Sequence, residues 1–87
     1  MDHISLADLN VLLVEPSDTQ RKIISSLLIK EDVGEIDAVS TVAEAKSALK
    51  SHGSDVVVSA MYFEDGTGLD LLQSMKNSSD TSSIPFM

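Results

Sequence analysis

The sequence has no cysteine, no tryptophan and few other aromatic residues, with one tyrosine and two phenylalanines among 87 positions. The absence of cysteine excludes a disulfide framework, a thiolate metal site and a cysteine nucleophile. Because aromatic residues make up only 3% of the chain and hydrophobic residues 43%, the apolar interior must consist mainly of aliphatic side chains and methionine. This balance is typical of one small globular domain and not of a disordered chain.

Positive charge is also scarce in this chain. Six Lys and Arg residues stand against fourteen Asp and Glu residues, which gives a formal net charge of −8. Because phosphate binding depends on Lys and Arg, nucleic acid and anionic membrane surfaces are disfavoured as partners. No apolar run approaches the ~20 residues that cross a bilayer, and Met1–His3 carries no basic region before an apolar stretch. The sequence therefore predicts a cytoplasmic protein that makes no membrane contact.

Short apolar segments alternate with helical patterns along the chain. The run NVLLV at residues 10–14 is almost wholly apolar, as in a strand buried on both faces, and residues 56–59 repeat this pattern. Residues 35–40 alternate polar and apolar side chains, which predicts an edge strand, and residues 84–87 resemble the start of a fourth strand. Strands that alternate with helices predict an α/β fold with a doubly wound parallel sheet.

Three helices are predicted between these strands. Asp18 is placed as the N-cap of a helix that begins at Thr19. Thr41 and Glu44 have the spacing of a capping box, which predicts the start of a second helix. The buried stripes predicted for the three helices in turn are Ile24, Leu27 and Leu28; Val42, Ala45 and Leu49; and Leu69, Leu72 and Met75.

Two long segments carry a family resemblance. LNVLLVEPSDTQRKIISSLL, which starts at Leu9, resembles the opening of a response-regulator receiver domain (CheY-like), and DVVVSAMYFEDGTGLDLLQSM, which starts at Asp55, resembles that family's phosphorylation strand, active-site loop and third helix. The segment AVSTVAEAKSAL lies between them. The resemblance covers residues 9–87 and leaves residues 1–8 as an N-terminal tail. It implies a flavodoxin-like sheet with strand order 2-1-3-4, and because a complete receiver has about five strands, it implies a C-terminally truncated domain.

The resemblance also implies a site at the carboxyl ends of the strands. In the family, an aspartate at a strand end accepts a phosphoryl group from a kinase histidine, and two acidic residues after the first strand hold Mg²⁺. By resemblance, the acceptor position falls on Ala60 and the acidic pair falls on Glu15 and Pro16. A methyl group cannot attack phosphorus, and proline offers no carboxylate. The implied domain is a degenerate receiver that is not phosphorylated, and Glu64 stands where the family loop usually carries a proline.

Neighbouring acidic residues are candidate substitutes for the missing carboxylates. Glu15, Asp18, Glu64 and Asp65 are expected at the same edge of the sheet, where Glu15 and Asp65 are candidate ligands for a weakly held Mg²⁺ or Ca²⁺. The alternative is a solvated loop with a helix cap. Ser59 is disfavoured as a substitute acceptor because consecutive strand residues point to opposite faces. Asp65 is disfavoured in that role because a loop carboxylate without a positioned metal lacks in-line geometry.

The loop after the third strand carries an apolar cluster of Met61, Tyr62 and Phe63. These residues are candidates for a protein contact, with local packing over Ala60 as the alternative. The two histidines, His3 and His52, are interpreted as incidental, and the glycines near residue 66 do not follow the dinucleotide-binding pattern.

The resemblance predicts a signalling module of a bacterial two-component or related regulatory system. It is expected to act through protein contacts or oligomerisation and not through phosphotransfer, without a cofactor and without enzymatic activity. The expected partners are signalling proteins or other domains of a longer chain. Because an incomplete sheet leaves an unpaired edge, a homo-oligomer with strand exchange is also expected. Two alternatives stay open: a structural oligomerisation element without a signalling partner, and a small flavodoxin-like ligand-binding domain.

Overall fold

The computed structural model describes residues 8–51 and 53–87. Most of the predicted N-terminal tail, and both histidines, His3 and His52, lie outside the described residues. The elements in chain order are the strand β1 (Asn10–Val14), the helix α1 (Asp18–Lys30), β2 (Glu35–Val39), α2 (Val42–Ser51), β3 (Val56–Ser59), the short strands β4 (Tyr62–Phe63) and β5 (Gly66–Thr67), and α3 (Gly68–Lys76).

The main sheet has three parallel strands in the order β2-β1-β3. Beyond β3, Phe86 forms a parallel bridge with Val57, supported by hydrogen bonds from Val57 N to the oxygen of Pro85 at 2.9 Å and from Met87 N to the oxygen of Val57 at 2.8 Å. The last residues therefore lie along β3 in the position of a fourth strand. The predicted α/β class and the order 2-1-3-4 are confirmed, although the fourth strand consists of this single bridge.

The core lies between the sheet and the pair of helices α2 and α3. It consists of side chains from both layers: Leu12, Val14, Val42, Ala45, Ala48, Val57, Leu71 and Met75. Full burial of each large aliphatic side chain stabilises the fold by about 1.5–3 kcal/mol relative to exposure. This packing fixes the carboxyl ends of β1 and β3 next to each other and holds the first turns of α2 and α3 near them.

The opposite face of the sheet is covered by α1 alone within the described residues, and α1 buries none of its side chains fully. Ile24 and Leu28 are partly buried, but Leu27 is 58% exposed, so the predicted stripe is wrong at that position. The N-cap prediction was also wrong. Ser17 caps the helix through its Oγ, which accepts a hydrogen bond from Gln20 N at 3.3 Å, and the helix starts one residue earlier than expected.

The stripes of the other two helices are partly as predicted. Val42 and Ala45 of α2 are buried, and Leu49 packs partly buried against the core. In α3, however, Leu71 is fully buried while Leu69 is 62% exposed. The buried residues of α3 are Gly68, Leu71 and Met75, which share one face of the helix. This buried face is rotated away from Leu69.

Candidate functional site

The carboxyl ends of β1 and β3 meet at one edge of the sheet. Ala60 follows β3 directly, and its backbone N–H donates to the carbonyl oxygen of Val14, the last residue of β1, at 2.9 Å. Glu15 follows Val14, and its N–H donates to the oxygen of Val39 at 3.0 Å. The structure therefore brings the predicted positions Ala60, Glu15 and Pro16 together at this edge.

The turn between β1 and α1 is closed by its own contacts. The Oε2 atom of Glu15 accepts a hydrogen bond from Ser17 N at 3.0 Å. Arg21 Nη1 donates to the carbonyl oxygen of Glu15 at 2.9 Å, and Arg21 Nη2 forms an ion pair with Asp18. A cationic side chain therefore lies directly at the acidic turn. Neither role of Arg21 was predicted, although an arginine three residues after an aspartate on a helix is a recognisable ion-pair spacing.

The segment after Ala60 is a hairpin and not the open loop that the sequence suggested. Strands β4 and β5 pair antiparallel, with Tyr62 opposite Thr67 and Phe63 opposite Gly66, and residues 64–65 form the turn. The available signal was two aromatic residues, Tyr62 and Phe63, with an Asp-Gly step one residue further on. Gly66 has φ +154°, and a Cβ there would lie 3.1 Å from Oδ2 of Asp70, so glycine suits this turn.

Asp65 ties this hairpin to the N-terminus of α2. Its Oδ1 accepts a hydrogen bond from Val42 N and its Oδ2 accepts one from Ala43 N, each at 3.0 Å. These two N–H donors, that of Ala43 first, hold the pKa of the Asp65 carboxyl below its usual value. Both carboxylate oxygens of this candidate metal ligand therefore accept backbone amides. No group of three or more His, Asp or Glu side chains placed to hold a metal ion occurs among residues 8–51 and 53–87.

The N-terminus of α2 carries a second carboxylate. Thr41 Oγ1 accepts a hydrogen bond from Glu44 N at 3.1 Å, as the predicted capping spacing implies. In a capping box, the Glu44 side chain would accept the backbone N–H of Thr41. Instead, its Oε1 atom accepts hydrogen bonds from Ser40 N at 3.3 Å and Ser40 Oγ at 2.8 Å. The Ser40 hydroxyl is the main cause that lowers the pKa of Glu44.

The first turn of α3 packs tightly against the end of β3. Gly68 N donates to the oxygen of Met61 at 2.7 Å, and a Cβ on Gly68 would lie only 2.5 Å from the carbonyl oxygen of Ala60. Thr67 and Asp70 form a capping box, with Asp70 N bonded to Thr67 Oγ1 at 3.1 Å and Thr67 N bonded to Asp70 Oδ2 at 2.9 Å. The site is therefore bounded on this side by a fixed backbone.

The remaining predicted residues are placed as follows. Ser59 Oγ donates to the oxygen of Ala60 at 2.7 Å and lies toward Gly68, on the α3 side. Phe63 packs partly buried against the core. Met61 and Tyr62 are on the surface, with 48% and 78% exposure. Met61 and Tyr62 are therefore accessible to a partner, whereas Phe63 packs against the core.

The family model for the response regulator receiver domain matches residues 11–87. The chain belongs to this family. It is therefore a receiver domain of two-component signalling, as the resemblance predicted. Comparison with curated protein sequences gives no significant match. None of the helices in the described part of the chain has the length and apolar character needed to span a membrane.

Solved receiver structures share the fold of this receiver domain. The chemotaxis response regulator CheY4 of Vibrio cholerae is 22% identical with a TM-score of 0.85, and the alignment covers 91% of this chain and 65% of that one. The receiver domain of a signal transduction histidine kinase from Syntrophus aciditrophicus is 24% identical with a TM-score of 0.85, at 90% and 58% coverage. The MaeR response regulator bound to beryllium trifluoride is 26% identical with a TM-score of 0.83, at 91% and 64% coverage. The chain thus spans 58% to 65% of the length of these three structures.

Proposed function

We propose that this receiver domain does not accept a phosphoryl group and acts by binding other proteins. The observation that carries the proposal is Ala60 at the carboxyl end of β3, next to Val14. Phosphoryl transfer to a receiver requires an oxygen nucleophile at the acceptor position, and a methyl group has no electron pair to donate.

The acidic turn after β1 supports the same proposal. Mg²⁺ needs nearly octahedral oxygen ligands and is usually held by one or two carboxylates together with phosphate and water. Pro16 supplies no carboxylate, and the Glu15 carboxylate accepts the Ser17 amide. Arg21 places a positive charge on the same turn. We therefore propose a domain without a metal cofactor and without enzymatic activity.

The contacts of the hairpin favour a docking role. Asp65 fixes the hairpin to α2, and the Gly68 amide fixes α3 to Met61. A surface held in this way loses little conformational entropy when a partner binds. The proposed partners are signalling proteins or other domains of a longer chain, in the bacterial cytoplasm.

Treatment with acetyl phosphate and Mg²⁺, followed by intact-mass measurement, tests the proposal. We expect no gain of phosphoryl mass. A receiver that carries both acidic residues and the acceptor aspartate, treated in parallel, is the positive control. A stoichiometric gain of one phosphoryl group on this chain would overturn the proposal.

Self-association is a second candidate, favoured by the exposed side of α1. Ile23 is 48% exposed and Leu27 is 58% exposed, on a helix that buries none of its residues fully. A second copy that covers this stripe, or that exchanges residues 84–87 along β3, would remove apolar surface from water. Light scattering over a concentration series should then give a mass above the monomer. Leu27→Lys lowers this mass where α1 forms the contact and leaves it unchanged where residues 84–87 are exchanged, and the exposed polar control Thr19→Lys leaves it unchanged in both cases. A monomer at every concentration would exclude this second function.

A further inference from the structure

Three exposed apolar residues lie on the hairpin segment and on the helix that follows it. Met61, Tyr62 and Leu69, here called the hairpin patch, are 48%, 78% and 62% exposed. The Gly68 N–H contacts the oxygen of Met61 at 2.7 Å, and Tyr62 pairs with Thr67, two residues before Leu69. The three residues therefore occupy adjacent backbone positions beside the end of β3.

The backbone that carries the hairpin patch is held in place by packing and hydrogen bonds. Its neighbours Phe63 and Leu71 already point into the core. Asp65 makes two hydrogen bonds to α2, and Thr67 and Asp70 close a capping box at the start of α3. The apolar side chains of the patch are thus presented by a backbone that is fixed on both sides.

The charged residues of the hairpin and of the first turn of α3 are all acidic, and Lys46 of α2 interacts electrostatically with Asp65. Glu64 and Asp65 form the turn of the hairpin, Asp70 lies in the first turn of α3, and all three are exposed. No Lys or Arg occurs in the sequence between Lys50 and Lys76. An apolar surface with an acidic rim is complementary to a partner that combines apolar side chains with Lys or Arg.

We propose that the hairpin patch docks a basic amphipathic segment of another protein. Apolar side chains of that segment cover Met61, Tyr62 and Leu69, and its cationic side chains face Glu64 and Asp70. Tyrosine suits the centre of such a contact because it supplies a large apolar area with few rotatable bonds and attracts cations to its ring. The inference rests on the proposed function, since it names the surface and the partner chemistry of that docking role.

A second copy of the chain is a poorer occupant of this surface. Two copies that met through the hairpin patch would oppose Glu64 and Asp70 with their own equivalents, in molecules that each carry a net charge of −8. Like charges placed across an interface weaken it. The acidic rim therefore favours a cationic partner of different sequence.

The test uses the full isotope-labelled chain and a synthetic amphipathic helix of leucine and lysine as the probe, at physiological ionic strength. A peptide of the same composition in scrambled order is the charge-matched control. We expect amide shifts in nuclear magnetic resonance spectra to concentrate at residues 61–70. Tyr62→Ser should weaken binding about tenfold. Ile29→Ser, which removes a 65% exposed apolar side chain from the last turns of α1, should leave the affinity unchanged.

The inference would be overturned by absence of peptide binding, by equal binding of the scrambled peptide, by shifts spread over the acidic surface as a whole, or by equal affinity of the Tyr62→Ser variant. A concentration-dependent mass that Tyr62→Ser abolishes would instead assign the hairpin patch to a second copy and would also overturn it. Because Tyr62 is 78% exposed, this variant is expected to keep its fold, which its own spectrum verifies. A gain of phosphoryl mass with acetyl phosphate would contradict the proposed function. Absence of peptide binding by a chain that gains no phosphoryl mass would contradict this inference and leave the proposed function standing.

Discussion

The Oδ1 atom of Asp65 accepts a hydrogen bond from the backbone N–H of Val42 at 3.0 Å, although the two residues are 23 positions apart in sequence. The contact joins the hairpin after β3 to the first turn of α2. An N-terminal helix turn has N–H groups without an intrahelical partner and the positive end of the helix dipole, so a carboxylate stabilises it. The same contact fixes the hairpin turn that contains Glu64.

Because Asp65 and Glu44 accept hydrogen bonds in the folded protein, we expect its stability to depend on pH. The pKa values of Asp65 and Glu44 are lowered in the folded protein by hydrogen bonds to α2 and to Ser40. Carboxyl groups with lowered pKa values stabilise the fold above their unfolded pKa values, and this stabilisation is lost as the pH falls through the folded values. The free energy of unfolding in urea should therefore fall as the pH drops below about 4.5.

Single substitutions separate the two carboxyl groups. Asp65→Asn and Glu44→Gln should each give a shallower loss of stability on acidification than the parent chain, because each removes one group that binds a proton on unfolding. The combined variant should be shallower still. Equal slopes for the parent and for Asp65→Asn would show that the cap does not contribute to the pH dependence.

Gly68→Ala is expected to destabilise the fold. The new Cβ would lie 2.5 Å from the carbonyl oxygen of Ala60, and backbone cannot move away as a flexible side chain does. We expect a loss of about 1–3 kcal/mol in urea unfolding, which is the usual effect of overpacking. Gly53→Ala is the matched control, since φ is +69° there but the space is open, and its loss should be about 1 kcal/mol. A smaller loss for Gly68→Ala than for Gly53→Ala would contradict the steric explanation.

Asp32→Gly is expected to stabilise the fold. Asp32 follows Glu31, the C-cap residue of α1, and has φ +59°. Its N–H donates to the oxygen of Ile29 at 3.0 Å, and the N–H of Val33 donates to the oxygen of Leu28 at 3.4 Å. Glycine adopts this conformation without the steric cost of a Cβ, which is roughly 1–2 kcal/mol and exceeds the backbone entropy cost of glycine, about 0.5–1 kcal/mol. Glu31→Gly, one residue earlier with φ −88°, should lower stability instead. Thermal unfolding should give a higher midpoint temperature for Asp32→Gly, and a lower one for Glu31→Gly, than for the parent chain.

Ala60→Asp alone is expected to gain no phosphoryl group from acetyl phosphate. The substitution restores the nucleophile, but Pro16 still supplies no second carboxylate for the metal ion. Ala60→Asp combined with Pro16→Asp should bind Mn²⁺ in calorimetric titration, whereas the single variant should bind it much more weakly. A single variant that takes up one phosphoryl group in its intact mass would show that Pro16 does not limit the reaction.

The sequence was sufficient for the fold class, the strand order and the family. Val11–Val14 and Val56–Val58 are wholly apolar, and short apolar runs that alternate with helical patterns are typical of buried parallel strands. It also placed Ala60 and Glu15 at one edge of the sheet, because the carboxyl ends of parallel strands meet there. The N-cap of α1 was misassigned by one residue, since Ser17 and Asp18 are both good caps and only the backbone conformation distinguishes them.

The sequence by itself determined that Ala60 and Pro16 supply no carboxylate to the site, because these side chains have none in any fold. What only the tertiary structure decided is which neighbouring groups meet and which face the solvent. The hydrogen bonds of Asp65 join segments that are far apart along the chain. The contact of Gly68 with the end of β3 sets the rotation of α3, which buries Leu71 and leaves Leu69 exposed. Such choices depend on packing between distant segments, and local propensity does not record them.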